Sequence, residues 1–170
     1  MVISSDILLK GTAWKKGINE LSKIFQKRTN YSIFVISASI GIMYDKQIES
    51  PAEDGEEPLY VPRNILFQNR DELDFLFQTA ILTTNLENYN EEKRLELAFG
   101  EEKKEKYDRI KFLARFANFG INKLVEMIGI DELDTMENIK NFLASTMEGT
   151  NFEIDSIEEE LEDYSVDMKY

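Results

Sequence analysis

The sequence predicts a mainly α fold: a single helical domain of about six helices over residues 1–150, followed by an acidic amphipathic helix over residues 151–170. Three observations carry this. Large apolar residues recur every three or four positions in most segments, which is the period of one helix face. The three prolines, Pro51, Pro58 and Pro62, fall together, so the strongest chain breakers share one loop. With 170 residues, 42% of them apolar and 11% aromatic, the chain can bury one core.

The first helix is expected in "TAWKKGINELSKIFQKR". Trp14, Ile18, Leu21 and Phe25 make its inner stripe, Thr12 is a suitable N-cap, and Gly17 weakens helix propensity. "YSIFVISASIGIMYDK" follows. Its β-branched residues would suit a strand. Its length and its small residues Ser37, Ala38, Ser39 and Gly41 favour a central helix packed closely by its neighbours. Residues 49–62 form a proline-rich surface loop in which "LYVP" can pair as a brief strand.

"RDELDFLFQTAILTT" reads as a helix opened by Asp71, with Leu73, Phe77, Ala80 and Ile81 facing inward. "NEEKRLELAFG" is a short helix, with Gly100 as its C′ residue. The longest pattern, "EEKKEKYDRIKFLARFANFGINKLVEMIG", buries Ile110, Leu113, Phe116, Ala117, Ile121, Leu124 and Ile128. Gly120 marks a bend or a close helix contact there, and Gly129 ends the helix. "TMENIKNFLASTMEG" is read as a helix capped by Thr135, with Ile139, Phe142, Leu143 and Met147 inward.

In the last segment Ile154, Ile157, Leu161, Tyr164 and Met168 are spaced 3, 4, 3 and 4, an a/d stripe. Ser156 and Glu159 have capping-box spacing. Asp155, Glu158, Glu159 and Glu160 sit where a helix dipole favours anions. Such a helix is marginal alone, because nucleation is costly and like charges repel. Three fates are open to it: docking on its own domain, docking on a partner helix or groove, and disorder. An acidic polar face argues against anionic membranes.

Net charge is −13. Residues 1–30 carry Lys10, Lys15, Lys16, Lys23, Lys27 and Arg28 against Asp6 and Glu20, whereas residues 151–170 carry eight acids against Lys169. Lys15, Lys16, Lys23, Lys27 and Arg28 therefore offer contacts to phosphate or to an acidic partner. Any nucleic-acid contact is expected to be weak or indirect at this net charge.

There is no cysteine and no histidine. Disulfides, zinc–thiolate centres, thiol nucleophiles, Ser–His catalysis and the HExxH helix are excluded. The composition fits a reducing cytosol, and the start lacks the pattern of a secretion signal. The longest apolar run, Ile33 to Tyr44, is too short to span a bilayer.

No phosphate-binding glycine loop, dinucleotide fingerprint or nucleophile elbow occurs, so no cofactor is expected. "DELD" occurs at Asp71–Asp74 and again at Asp131–Asp134. Paired carboxylates can bind Mg²⁺ or Ca²⁺, but both copies open helices, where acids serve as caps. No metal site is assigned. The triplets Glu91-x-Lys93, Glu101-x-Lys103 and Glu102-x-Lys104 match a nuclease pattern by letter and read as solvated helix faces.

Two segments carry a family resemblance. "YSIFVISASIGIMYDKQI" resembles the apolar, glycine-ended helix of small accessory proteins encoded in bacterial phage-defence operons, including the Dnd-system-associated group. "FLARFANFGINKLVEMIG", with Ala117, Asn118 and Gly120, resembles that group's later helix, and "LFQTAIL" stands where the family carries a helix between them. The likeness spans about residues 30–130. It implies a small helical subunit serving an ATPase and a nuclease, as does the middle component of a three-part system with an SMC- or ABC-type ATPase. It carries over no catalytic residue, and Asn118 and Gly120 read as packing positions.

The function expected is therefore non-catalytic: an accessory subunit of a cytosolic bacterial assembly, serving antiphage defence. Ile154, Ile157, Leu161, Tyr164 and Met168 would bind larger protein partners, and self-association is compatible with the same stripe. One alternative is an acidic DNA mimic that inhibits a nuclease or DNA-binding protein. The other is a metal-dependent nuclease using Asp71 and Asp74.

Overall fold

The structure, a computed structural model, describes residues 1, 3–26, 29–50, 57–85, 88–100 and 108–147. It is mainly helical. The order is β1 (Ile7–Leu9), α1 (Thr12–Leu21), α2 (Thr29–Met43), β2 (Leu59–Val61), α3 (Arg63–Gln68), α4 (Arg70–Thr83), α5 (Glu91–Phe99), α6 (Arg109–Glu126) and α7 (Glu132–Met147). The chain divides into two compact units, residues 1–126 and 127–170.

The first unit is built around α2 and α6, its most extensively packed pair. α2 is apolar on nearly every side, and among its described side chains only Ser39 is exposed, as suits a helix enclosed by neighbours. The two helices cross where side chains are smallest. A Cβ on Gly41 would collide with the backbone of Phe116, and one on Gly120 with the backbone of Ser37. Gly120 is thus a close helix contact. Ser37 Oγ is buried with no hydrogen-bond partner among the described residues, so this crossing uses the small volume of the serine.

α1 also packs on α6, although there a Cβ on Gly17 would meet the end of a side chain, 2.7 Å from Ile121 Cδ1, where the other two meet backbone. Around these crossings Phe77, Phe112 and Phe116 stack edge to face, with centroids 5.6 and 5.1 Å apart, and Trp14 stacks on Phe34 at 6.5 Å. All five rings are fully buried. Each such side chain contributes about 1.5–3 kcal/mol of burial.

Several elements differ from the sequence reading. The N-cap of α1 is Gly11, whose φ of 98° suits glycine, and Thr12 is the first helical residue. α1 also ends at Leu21. Ser22 Oγ bonds the Asn19 carbonyl, and Phe25 lies beyond the helix, half-buried. β1 and α3 are additions. β1 pairs antiparallel with β2 in the register Ile7↔Val61, Leu8↔Tyr60 and Leu9↔Leu59, so "LYV" is indeed a strand. Pro62 has no side-chain acceptor, and Asp6 Oδ1 instead accepts from Arg63 N at 2.7 Å to cap α3 from the opposite strand. Gly100 keeps an ordinary φ of −72°, so α5 does not end in a left-handed residue.

In the second unit α7 begins three residues earlier than Thr135. Its cap is Asp131, whose carboxylate accepts from Asp134 N at 2.9 Å. Thr135 is an interior helical residue whose hydroxyl bonds Asp131 O and Gly129 N. The inward face is also narrower than the spacing predicts. Leu143, expected inward, is exposed, while Ile139 is buried and Phe142 half-buried.

Candidate partner-binding surfaces

The tail stripe Ile154, Ile157, Leu161, Tyr164 and Met168 lies outside the described residues, as do Lys27 and Arg28. Lys15, Lys16 and Lys23 are all at the surface. None of the three lines either of the two clefts found along β1 and α6.

The larger cleft, about 440 Å³, lies between Leu8 and Lys10 on one side and Asp108, Lys111, Phe112, Arg115 and Asn118 on the other. Its charges compensate one another. Arg115 lies over the Phe112 ring at 5.2 Å, with Glu49 3.9 Å away, and Lys111 stands 3.8 Å from Asp108. Asn118 is committed to structure. Its Oδ1 accepts from Trp14 Nε1 at 3.1 Å and its Nδ2 donates to Ile48 O at 3.2 Å, while Ile48 N donates to Arg115 O. One side chain thus fastens α1 and the chain after α2 to α6, the packing role expected for it.

The two "DELD" copies fall in different units and are put to different uses. Asp74 forms an ion pair with Arg109, a buried guanidinium that also donates to Leu97 O and Gly100 O and lies 4.7 Å over the Phe77 ring. Asp71 is exposed beside Arg70. Asp131 caps α7 and Asp134 accepts from Ile130 N. No cluster of three or more acidic ligands occurs among the described residues. Lys93 of the first triplet pairs with Glu96 at 2.8 Å on an exposed face, and the other two triplets lie outside the described residues.

The surface that the sequence reading missed is on α7. Its buried side holds Thr135 and Ile139, one turn apart. Its other side presents Leu133, Met136 and Leu143, with Lys140 completing a 3-4-3 spacing. Leu133 is 73% exposed, and Ile130, just before the helix, is fully exposed. Glu132, Asp134 and Glu137 flank this stripe. The signal available in the sequence is Asp131 three residues before Asp134, a capping spacing that moves the helix start back and brings Leu133 into line with Met136.

The second unit is also where the charge lies. Residues 127–170 hold thirteen acids against Lys140 and Lys169, a net of −11 out of −13 for the chain. No helix among the described residues is long and apolar enough to cross a membrane. Set against protein-family models, curated proteins and solved structures, the chain matches none of them.

Proposed function

We propose that this protein is a non-catalytic interaction subunit of a larger assembly, and that its second unit makes the contact. One observation carries the reading: α7 leaves a regular apolar stripe, Leu133, Met136 and Leu143, uncovered on a strongly acidic segment. A stripe of that spacing is what a helix offers to a groove or to another helix. The flanking acids select a partner whose groove is apolar with a basic border. The tail stripe Ile154–Met168 would extend the same kind of surface. The proposed setting, a cytosolic bacterial antiphage system with an ATPase and a nuclease, rests on the resemblance over residues 30–130.

The test is capture of the partner from the native host by the full chain, repeated with Leu133→Asp combined with Met136→Asp. Both positions are exposed, so the variant keeps its melting temperature within a few degrees. A larger partner retained by the wild type and lost by this variant supports the proposal. Equal retention by both chains, or no partner at all, sinks it. Leu161→Asp separates the contribution of the tail, and genes for an ATPase and a nuclease beside this one would support the defence setting.

A further inference from the structure

A second uncovered apolar surface lies on the first unit, on the α4–α5 pair. Phe75 and Leu82 are seven residues apart on α4, and Leu95 and Phe99 are four apart on α5. Each pair therefore marks one face of its helix. Phe75 is 69% exposed and Phe99 64%, and Leu82 and Leu95 are exposed as well.

Two arginines fix how the helices run. Arg94, in the first turns of α5, donates to Ile81 O and Thr84 O at the end of α4. Arg109 joins Asp74, near the start of α4, to Leu97 O and Gly100 O at the end of α5. The helices are antiparallel neighbours. Counting 100° per residue from the buried positions Leu73, Phe77, Ala80 and Ile81 on α4, and Ala98 on α5, brings both stripes to the same side of the pair. Four large apolar side chains thus share one surface across the seam of the two helices.

The charge around it is mostly acidic, with Arg70 paired to Asp71 and Lys93 to Glu96. Asp71 and Glu72 open α4, Glu91 and Glu92 open α5, and neither helix has a basic residue in its last turn. Because the helices are antiparallel, carboxylates stand at both ends of the seam. A second copy of this surface would bring acid against acid, and an anionic membrane would be repelled.

We propose that the α4–α5 face is a docking surface for a basic amphipathic helix of a partner protein. Its leucine-like side chains would pack among Phe75, Leu82, Leu95 and Phe99, and lysines or arginines at its ends would meet Asp71, Glu91 and Glu92. Exposed phenylalanines supply the large rigid area on which helix-in-groove binding depends. The inference rests on the reading of the chain as an interaction subunit, but it names a different surface and a different ligand chemistry from the α7 stripe.

The probe is a fluorescein-labelled helical peptide of leucine and lysine with one apolar face, titrated into the full chain by fluorescence anisotropy. Phe75→Ser combined with Phe99→Ser is expected to weaken binding at least tenfold with an unchanged melting temperature. Glu91→Gln with Glu92→Gln weakens it less, and more salt narrows that difference. Leu133→Asp with Met136→Asp leaves it unchanged. A shuffled peptide of the same composition, with no apolar face, should bind far more weakly.

Equal binding of the shuffled peptide would show that bulk charge alone holds the probe and would overturn the proposal. Unaltered binding by the Phe75/Phe99 variant, or a loss confined to the α7 variant, would overturn it while leaving the interaction-subunit reading intact. Self-association of the wild type that disappears in the Phe75/Phe99 variant would assign the face to a second copy and overturn it too.

Discussion

The two units are held by hydrogen bonds of different reach. In the first, the bonds that fix the fold join residues far apart in sequence: Trp14 to Asn118, Asn118 to Ile48, Arg63 to both Ile3 and Asp6, and Tyr31 to Glu72. In the second, those around the start of α7 are local, from Gly129 to Thr135, Ile130 to Asp134, Asp134 to Asp131, and Asn138 to Met127. The first unit is tied by tertiary contacts, and among the described residues of the second the start of α7 is tied by capping chemistry. Surfaces left over from packing carry little stabilising burden and are free to serve a partner, which is why the α7 stripe tolerates exposure.

Three substitutions bear on this contrast, in descending order of effect. Gly120→Ala strikes the α2–α6 crossing, where a Cβ meets the Ser37 backbone. Alanine in an ordinary helix would stabilise by about 1 kcal/mol. Here it should cost about 3 kcal/mol, because two backbones must part. Urea unfolding reads the sign directly, and a stabilised variant would refute the close crossing.

Arg109→Ala takes the buried guanidinium from Asp74, leaves it only the Met1 ammonium at 3.7 Å, and frees two carbonyls at the end of α5. A loss of about 2–3 kcal/mol is expected in the same measurement. A change under about 0.5 kcal/mol would mean that Arg109 behaves as an ordinary surface residue.

Asp131→Ala removes the cap of α7 and should cost about 1 kcal/mol of local stability. Hydrogen exchange should show faster amides in the first turn of α7 and unaltered protection in α2 and α6. Faster exchange in α2 would show that the two units unfold together.

The local unit and the distant unit were legible in the sequence to different degrees, and not in the order expected. The central helix α2, the α4 stripe and the close contact at Gly120 could be read, because apolar period and small residues report packing directly. α3 and β1 could not. α3 is only six residues long and takes its cap from Asp6, which belongs to a distant segment. The strand partner of "LYV" likewise lies some fifty residues earlier.

The miss on α7 had another origin. Asp131, Asp134 and Thr135 are all credible caps, and a cap at Thr135 leaves Leu133 outside the helix, so that Met136 has no stripe to join. The "DELD" motifs were correctly read as helix openers, but not that Asp74 belongs to Arg109, an ion pair that spans 35 positions. The α4–α5 face went unread because its two stripes sit on different helices, and only their antiparallel pairing joins them.

The crossing of α2 and α6 also has a consequence in time. α2, the most apolar element, ends at Met43, and the helix that covers it begins at Arg109. At ordinary synthesis rates the nascent chain carries α2 without its cover for on the order of ten seconds. Fragments that stop before Glu126 share that condition permanently. They should therefore emerge from cells with chaperones attached or in aggregates, whereas removal of the acidic segment beyond Met147 should leave the first unit able to close.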